Sequence, residues 1–198
     1  MSRIVVDADG LIKLGKSGVL HTLARAHELL VPYEVYREAV VEGKRMLHED
    51  AFELEAEFPA LGIEVAEVGP ALEAGGSVGA GELAALRLYE ASGAGAVISD
   101  DRAFANFLVR QGVPVFASAD ALVVLVESGR LSADQGIECL ERLQAHIRGS
   151  VFESAMASIK AVAARPEGEG GVNENGERGK EQEENEDGDE ALSVEGAG

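Results

Sequence analysis

The chain has 198 residues, 46% of them hydrophobic, which suits one domain of ordinary size with some length to spare. Its single cysteine, Cys139, excludes an internal disulfide framework, and no apolar run approaches the length of a membrane span. The formal net charge of -19 opposes long-range attraction of nucleic acid, so a polyanionic substrate would need local bases, a metal ion or salt screening. From Arg165 onward twelve acids face three bases, so about half of that charge lies in the C-terminal stretch and the rest is spread over the body. With no cationic-then-apolar leader, a cytoplasmic location is the expectation.

Residues 3 to 7 read as a short buried strand that ends in Asp7. Leu11, Ile12, Leu14, Val19, Leu20 and Leu23 follow as one or two short helices, broken near Gly15 and Gly18. A second strand, Glu28 to Val31, runs into Pro32, which suits the first turn of a helix because its missing N–H costs nothing there. That helix, Tyr33 to about Glu42, places Glu34, Glu38 and Glu42 in one i, i+4, i+8 row. An amphipathic stretch spans His48 to Phe58, and residues 63 to 68 alternate like an edge strand.

Gly69 to Gly81 reads as a glycine-rich loop, and the next helix carries Glu82 in its first turn. Ala96 to Ser99 is a strand ending in the doublet Asp100-Asp101, followed by a helix from Arg102 to Arg110. Residues 113 to 116 form a short strand, Ser118 starts a helix to Val126, and Leu131 to about Ile147 gives a further helix. The alternation predicts a parallel sheet with helices on both faces. Residues 1–149 form the expected domain, and 150–164 can extend as a helix. Residues 165–198 are too poor in apolar side chains to offset their ordering entropy, and are expected to be a disordered acidic tail.

Two strands that deliver acids from their C-terminal ends are how open α/β sheets build sites for metals and phosphates. Asp7, Glu38, Glu82 and Asp101 are the candidate site acids, with Asp9 and Asp100 as supplements. Four carboxylates without basic partners repel one another unless a cation holds them. Each also has a plainer explanation. Asp7 or Asp9 can cap the helix near Leu11, Asp100 or Asp101 the helix at Arg102, and Glu82 suits a helix macrodipole. Glu38 belongs to a row that is ordinarily a solvated face.

Together the motifs resemble a PIN-domain nuclease, closest to the VapC-like toxin relatives of archaea and bacteria. The likeness runs from Arg3 to about Leu143: Ile4-Val5-Val6-Asp7, then Pro32 to Glu38, then Gly81-Glu82, then Ser99-Asp100-Asp101-Arg102-Ala103-Phe104. Asp9 stands where that family more often has Ser, Thr or Asn, which adds an acid. In the fourth motif the acid lies two positions after a small hydroxyl residue, which favours Asp101 over Asp100.

The resemblance implies a three-layer α/β/α sandwich with strand order 3-2-1-4-5. It also implies a metal-dependent endoribonuclease using Mg²⁺ or Mn²⁺, an RNA substrate, an antitoxin partner or a role in RNA processing, and a homodimer. Lys13, Lys16, Arg37, Lys44, Arg45 and Arg102 are candidate donors to phosphate.

Two rival readings have less support. Asp7-Ala8-Asp9-Gly10 has the form of a haloacid-dehalogenase-like phosphatase motif, with Asp7 as nucleophile, but that reading leaves Glu38 and Glu82 without roles. A catalytically silent PIN-like binding module sits poorly with four retained acids. The four histidines lack ligand spacing, and Cys139 has no neighbouring base in sequence.

Overall fold

A computed structural model describes residues 2–69 and 79–165. Most of the glycine-rich loop and the acidic tail expected from residue 165 lie outside the described residues. In chain order the elements are β1 (Arg3–Val6), α1 (Ala8–Ser17), α2 (Leu20–Ala26), β2 (Glu28–Pro32) and α3 (Tyr33–Tyr36). A π-helical segment (Arg37–Glu42), α4 (Gly43–Arg45), α5 (Glu49–Leu61), β3 (Glu64–Ala66) and α6 (Ala80–Ser92) follow. The remainder is β4 (Ala96–Ile98), α7 (Arg102–Arg110), β5 (Val115–Phe116), α8 (Ser118–Glu127), α9 (Ala133–Leu143) and α10 (Gly149–Ala163).

The five strands form one all-parallel sheet in the order β3-β2-β1-β4-β5, as the resemblance implies. β1 lies at its centre, with Val5 beside Leu30 and Val97, and Val6 beside Ile98. Val5 and Val6 are both fully buried, so the strand is apolar throughout rather than alternating, as a parallel strand covered on both faces must be. On one face Val5, Leu30 and Val97 meet Ala85 and Leu88 of α6 and Phe104 and Leu108 of α7. On the other, Val6 and Ile98 belong to the larger core built with α1, α2, α5, α8, α9 and α10.

Several boundaries differ from the sequence reading. The first helix starts at Ala8 rather than near Leu11, with Asp7 as its N-cap. Gly15 lies inside it, close against Leu54, and the break comes at Gly18, where a φ of 75° suits glycine. The Tyr33–Glu42 helix is not a plain α-helix, because Arg37–Glu42 is π-helical. The strand expected at 113–116 is reduced to Val115–Phe116, and the long C-terminal helix to Ala133–Leu143 with Ser132 as its cap.

α10 packs on α8 and α9 through Ala155 and Ile159. Gly136 lets α9 lie close against α8 beneath it. A Cβ there would stand 2.4 Å from Val126 Cγ2 and 3.5 Å from Ile159 Cδ1. Val126 is buried and stiff at χ1, so Gly136→Ala is expected to cost about 1–3 kcal/mol, read as a lower urea midpoint at unchanged slope.

Candidate active site

The sheet order places the C-terminal ends of β1 and β4 side by side, where chain connections diverge to opposite halves of the sheet. Such a switch point leaves a crevice at the strand ends. Asp7 leaves β1 there with its own N–H donating to the Ile98 carbonyl at 3.0 Å. The residue is 3% exposed, and its carboxylate accepts from the Gly10 N–H at 2.7 Å, as an N-cap does. A Cβ on Gly10 would stand 3.0 Å from both Asp7 Oδ1 and the Ile98 carbonyl, so glycine lets the first turn of α1 close onto the acid.

Burial is the main cause that pushes the Asp7 carboxyl up to about 7. Hydrogen bonds from Ser99 and Gly10 oppose that shift, and the charges of Asp9 and Asp100 add to it. Asp7 is thus both the N-cap of α1 and a carboxyl whose protonated form burial favours.

Asp100 follows β4 with a side chain 6% exposed. The buried Ser118 at the start of α8 gives it both its N–H, at 3.2 Å, and its hydroxyl. Lys13 Nζ stands 4.0 Å from Asp100 and 2.7 Å from Asp9, one helical turn away on α1. The Asp100 carboxyl is also raised, by burial first, with the Ser118 bonds and Lys13 opposing and Asp9 adding. Asp101, the acid that sequence favours, caps α7 by accepting from the Phe104 N–H at 2.7 Å, while its own N–H donates to Ser99 Oγ.

Glu38 approaches from the second strand's side. One of its carboxylate oxygens would be 3.0 Å from a Cβ on Gly81, so this glycine gives the acid room beside α6. Its carboxyl is raised by burial first, then by the charges of Glu42 and Glu82, with Asp9 adding and Arg37 opposing. Glu82 in the first turn of α6 accepts from the Gly79 N–H at 2.6 Å. Five of the six predicted acids are thus linked by mutual repulsion that runs from Glu82 through Glu38 and Asp9 to Asp7 and Asp100, while Asp101 next to Asp100 caps α7.

They do not form a finished cup. Among the described residues no three carboxylates, imidazoles or thiols are grouped closely enough to hold a metal ion. Asp7, Asp101 and Glu82 are turned to backbone amides, Asp100 to Ser118, and Asp9 to Lys13. The donor set is nonetheless all carboxylate oxygen, which fits a hard divalent ion, and two of its members, Asp7 and Asp100, are disfavoured as lone anions.

The candidate phosphate donors divide. Lys16 pairs with Asp50 at 3.1 Å, Arg37 with Glu42 at 3.5 Å, and Lys44 with Glu55. Lys13 is engaged inside the acidic row. Arg102 lines a cleft of about 630 Å³ next to Asp100 and Asp101, as do His146 and Arg148. Sequence reading missed His146 and Arg148, which belong to the α9–α10 connection, and treated Ser118 only as a helix start. A serine just past a strand at the acid-bearing edge is the signal that could have identified Ser118. Cys139 is buried in α9 with its thiol pushed up by burial, which suits a core residue.

Among the described residues no helix is long and apolar enough to cross a membrane. No curated protein and no solved structure matches the chain. A family model described as PIN domain, DUF3368, matches residues 3–161, which takes in every strand and nearly all of α10. With that match over most of its length, and with the 3-2-1-4-5 sheet carrying acids at its edge, the chain belongs to the PIN-domain family, a nuclease-type fold family.

Proposed function

We propose that this protein is a metal-dependent endoribonuclease that hydrolyses RNA phosphodiester bonds with Mg²⁺ or Mn²⁺. The observation that carries the reading is Asp7: a buried carboxyl at the end of the central strand, with Asp9 and Asp100 repelling it and no cation paired to it among the described residues. Asp7, Glu38, Glu82 and Asp101 would hold the ion, with Asp100 and Asp9 as further donors. A bound divalent ion supplies an activated water and stabilises charge developing on the phosphate. Ser118 fixes the orientation of Asp100, and Ser99 bridges the two strand ends by bonding Asp7 while accepting from Asp101. Lys13, its side chain 14% exposed, stands between Asp9 and Asp100 and offsets part of the repulsion between them.

The toxin reading, with a cognate antitoxin, a homodimer and a cytoplasmic site of action, extends the same proposal and rests on the resemblance to VapC-like relatives. An assay of the purified protein with RNA and with a small phosphomonoester, each with and without Mg²⁺, tests the function. RNA cleavage that requires Mg²⁺ is the expected result. Hydrolysis of the monoester alone, with phosphate trapped on Asp7, would instead support the phosphatase chemistry.

A further inference from the structure

Lys13 differs from the other bases near the site in what its charge faces. Lys16, Arg37 and Lys44 pair with Asp50, Glu42 and Glu55, none of them a candidate site acid. The Lys13 ammonium instead donates to Asp9 Oδ2 at 2.7 Å and faces Asp100 Oδ1 at 4.0 Å. Asp9 lies one helical turn before it on α1, the order in which an i, i+4 pair of acid and base is favoured. Asp100 reaches the same ammonium from the end of β4, so the contact ties two elements together. The side chains of Lys13 and Asp100 are 14% and 6% exposed. Taking an ammonium that far out of water is costly unless carboxylates meet it, and here two do.

This divides the acids into two groups. Asp100 is partnered at both oxygens, with Oδ2 accepting from the N–H and hydroxyl of Ser118 and Oδ1 facing Lys13. Asp9 has Oδ2 on the same ammonium. The charges that bear most on Asp7, by contrast, are both carboxylates, and the one base that bears on Glu38 is Arg37, itself paired with Glu42. A lysine ammonium is a compact point charge with three donors and no acceptor, so it offers a carboxylate much of what a small cation does.

We propose that Lys13 is a built-in cation that holds Asp9 and Asp100 in place of a second divalent ion, so that this protein binds one such ion, through Asp7, Glu38, Glu82 and Asp101. The assignment rests on the metal-dependent reading and narrows it, since Asp9 and Asp100 become donors only when Lys13 is withdrawn. Lys13 is in this sense a positioning residue, and its role is read in the number of ions bound.

The test is a titration of the purified full chain with Mn²⁺, following free Mn²⁺ by electron paramagnetic resonance, which counts bound ions without turnover. The wild type is expected to saturate at one ion per chain. Lys13→Met keeps the apolar stem, removes the charge, and is expected to hold about twice as much Mn²⁺ at saturation. Lys13→Gln carries the same expectation and keeps the test decisive if the methionine variant does not fold. Lys16→Met removes the same charge from the same helix, away from Asp9 and Asp100, and is expected to stay at one ion. Lys13→Met/Asp9→Asn should return to one, because the second ion needs both released carboxylates. Two ions in the wild type, one ion in both Lys13 variants, or a second ion in Lys16→Met as well would overturn the assignment. No Mn²⁺ bound by the wild type would sink the metal-dependent reading itself. One ion in every protein leaves that reading standing and removes only the role given to Lys13.

Discussion

Asp7→Asn is expected to abolish Mg²⁺-dependent RNA cleavage and, in the same molecule, to raise the melting temperature of the metal-free protein at pH 8. The first effect follows from removing the acid on which the proposed ion depends, and a loss of at least about a thousandfold is the scale to look for. The second follows from linkage. The Asp7 carboxyl moves from its ordinary 3.8 to about 7 on folding, chiefly through burial. A group whose folded value is raised contributes stability that is fully present below the unfolded value and is lost as pH rises through the folded one. Between about pH 4 and pH 7 the wild type should therefore lose up to about 4 kcal/mol from this group, at about 1.4 kcal/mol for each pKa unit.

Asparagine keeps the acceptor for Gly10 without the charge, so the variant should lose that part of the pH dependence. Asp100 and Glu38 are raised as well, so some decline of the same sign remains in both proteins. Thermal melts from pH 5 to pH 8, with and without Mg²⁺, check this. Mg²⁺ should raise the wild-type melting temperature at pH 8 and leave the variant's nearly unchanged. A variant that cleaves RNA as the wild type does would overturn the role of Asp7. Parallel pH profiles in the two proteins would overturn its perturbed titration.

A chain ended at Arg148 is expected not to fold cooperatively, whereas one ended at Arg165 should melt as the full chain does. Sequence alone puts the end of the domain near residue 149, because the pattern from Leu131 to Ile147 reads as a final helix. α10 buries Ile159 completely and Ala155 nearly so against α8 and α9, with Val151, Phe152, Met156 and Val162 partly buried at its edges. Fully burying one large apolar side chain stabilises by about 1.5–3 kcal/mol, so losing this set removes on the order of 5 kcal/mol. That is comparable with the whole stability of an ordinary domain, about 5–15 kcal/mol. Circular dichroism melts and dye binding to exposed apolar surface on the two truncations decide the matter. A sharp, unshifted transition for the chain ended at Arg148 would show that α10 is an accessory.

The sheet was legible because a central parallel strand must be apolar on both faces, and Ile4 to Val6 and Ala96 to Ile98 carry that signature without ambiguity. The acids were legible for a related reason: Asp7 and Asp100 interrupt those apolar runs where the strand leaves the core. What the string of residues does not carry is which way each carboxylate turns. Asp100 and Asp101 are adjacent, and only the approach of Ser118 from α8 and of the Phe104 amide from α7 separates a buried acid near Asp7 from a helix cap. The cleft was likewise hidden. Phe116, Arg102 and Arg148 belong to three different elements, and nothing in their spacing announces that a cavity joins them.

The π segment has one more implication, for the way this protein tolerates insertion and deletion. A helix fixes azimuth by residue count, about 100° per residue in its α form, so two contacts on one regular helix cannot be adjusted independently. Here the N-terminal half must present Glu38 to Gly81, while the C-terminal half must bring Gly43 against Ala51, where an added Cβ would come within 2.8 Å. The widened turns between Arg37 and Glu42 absorb the difference in phase between those two demands. Removing a single residue there would restore a regular helix and yet put its two ends out of step, with either the acid or the docking glycine facing the wrong way. Chain length across these six residues is thus itself a structural parameter, independent of which side chains fill them.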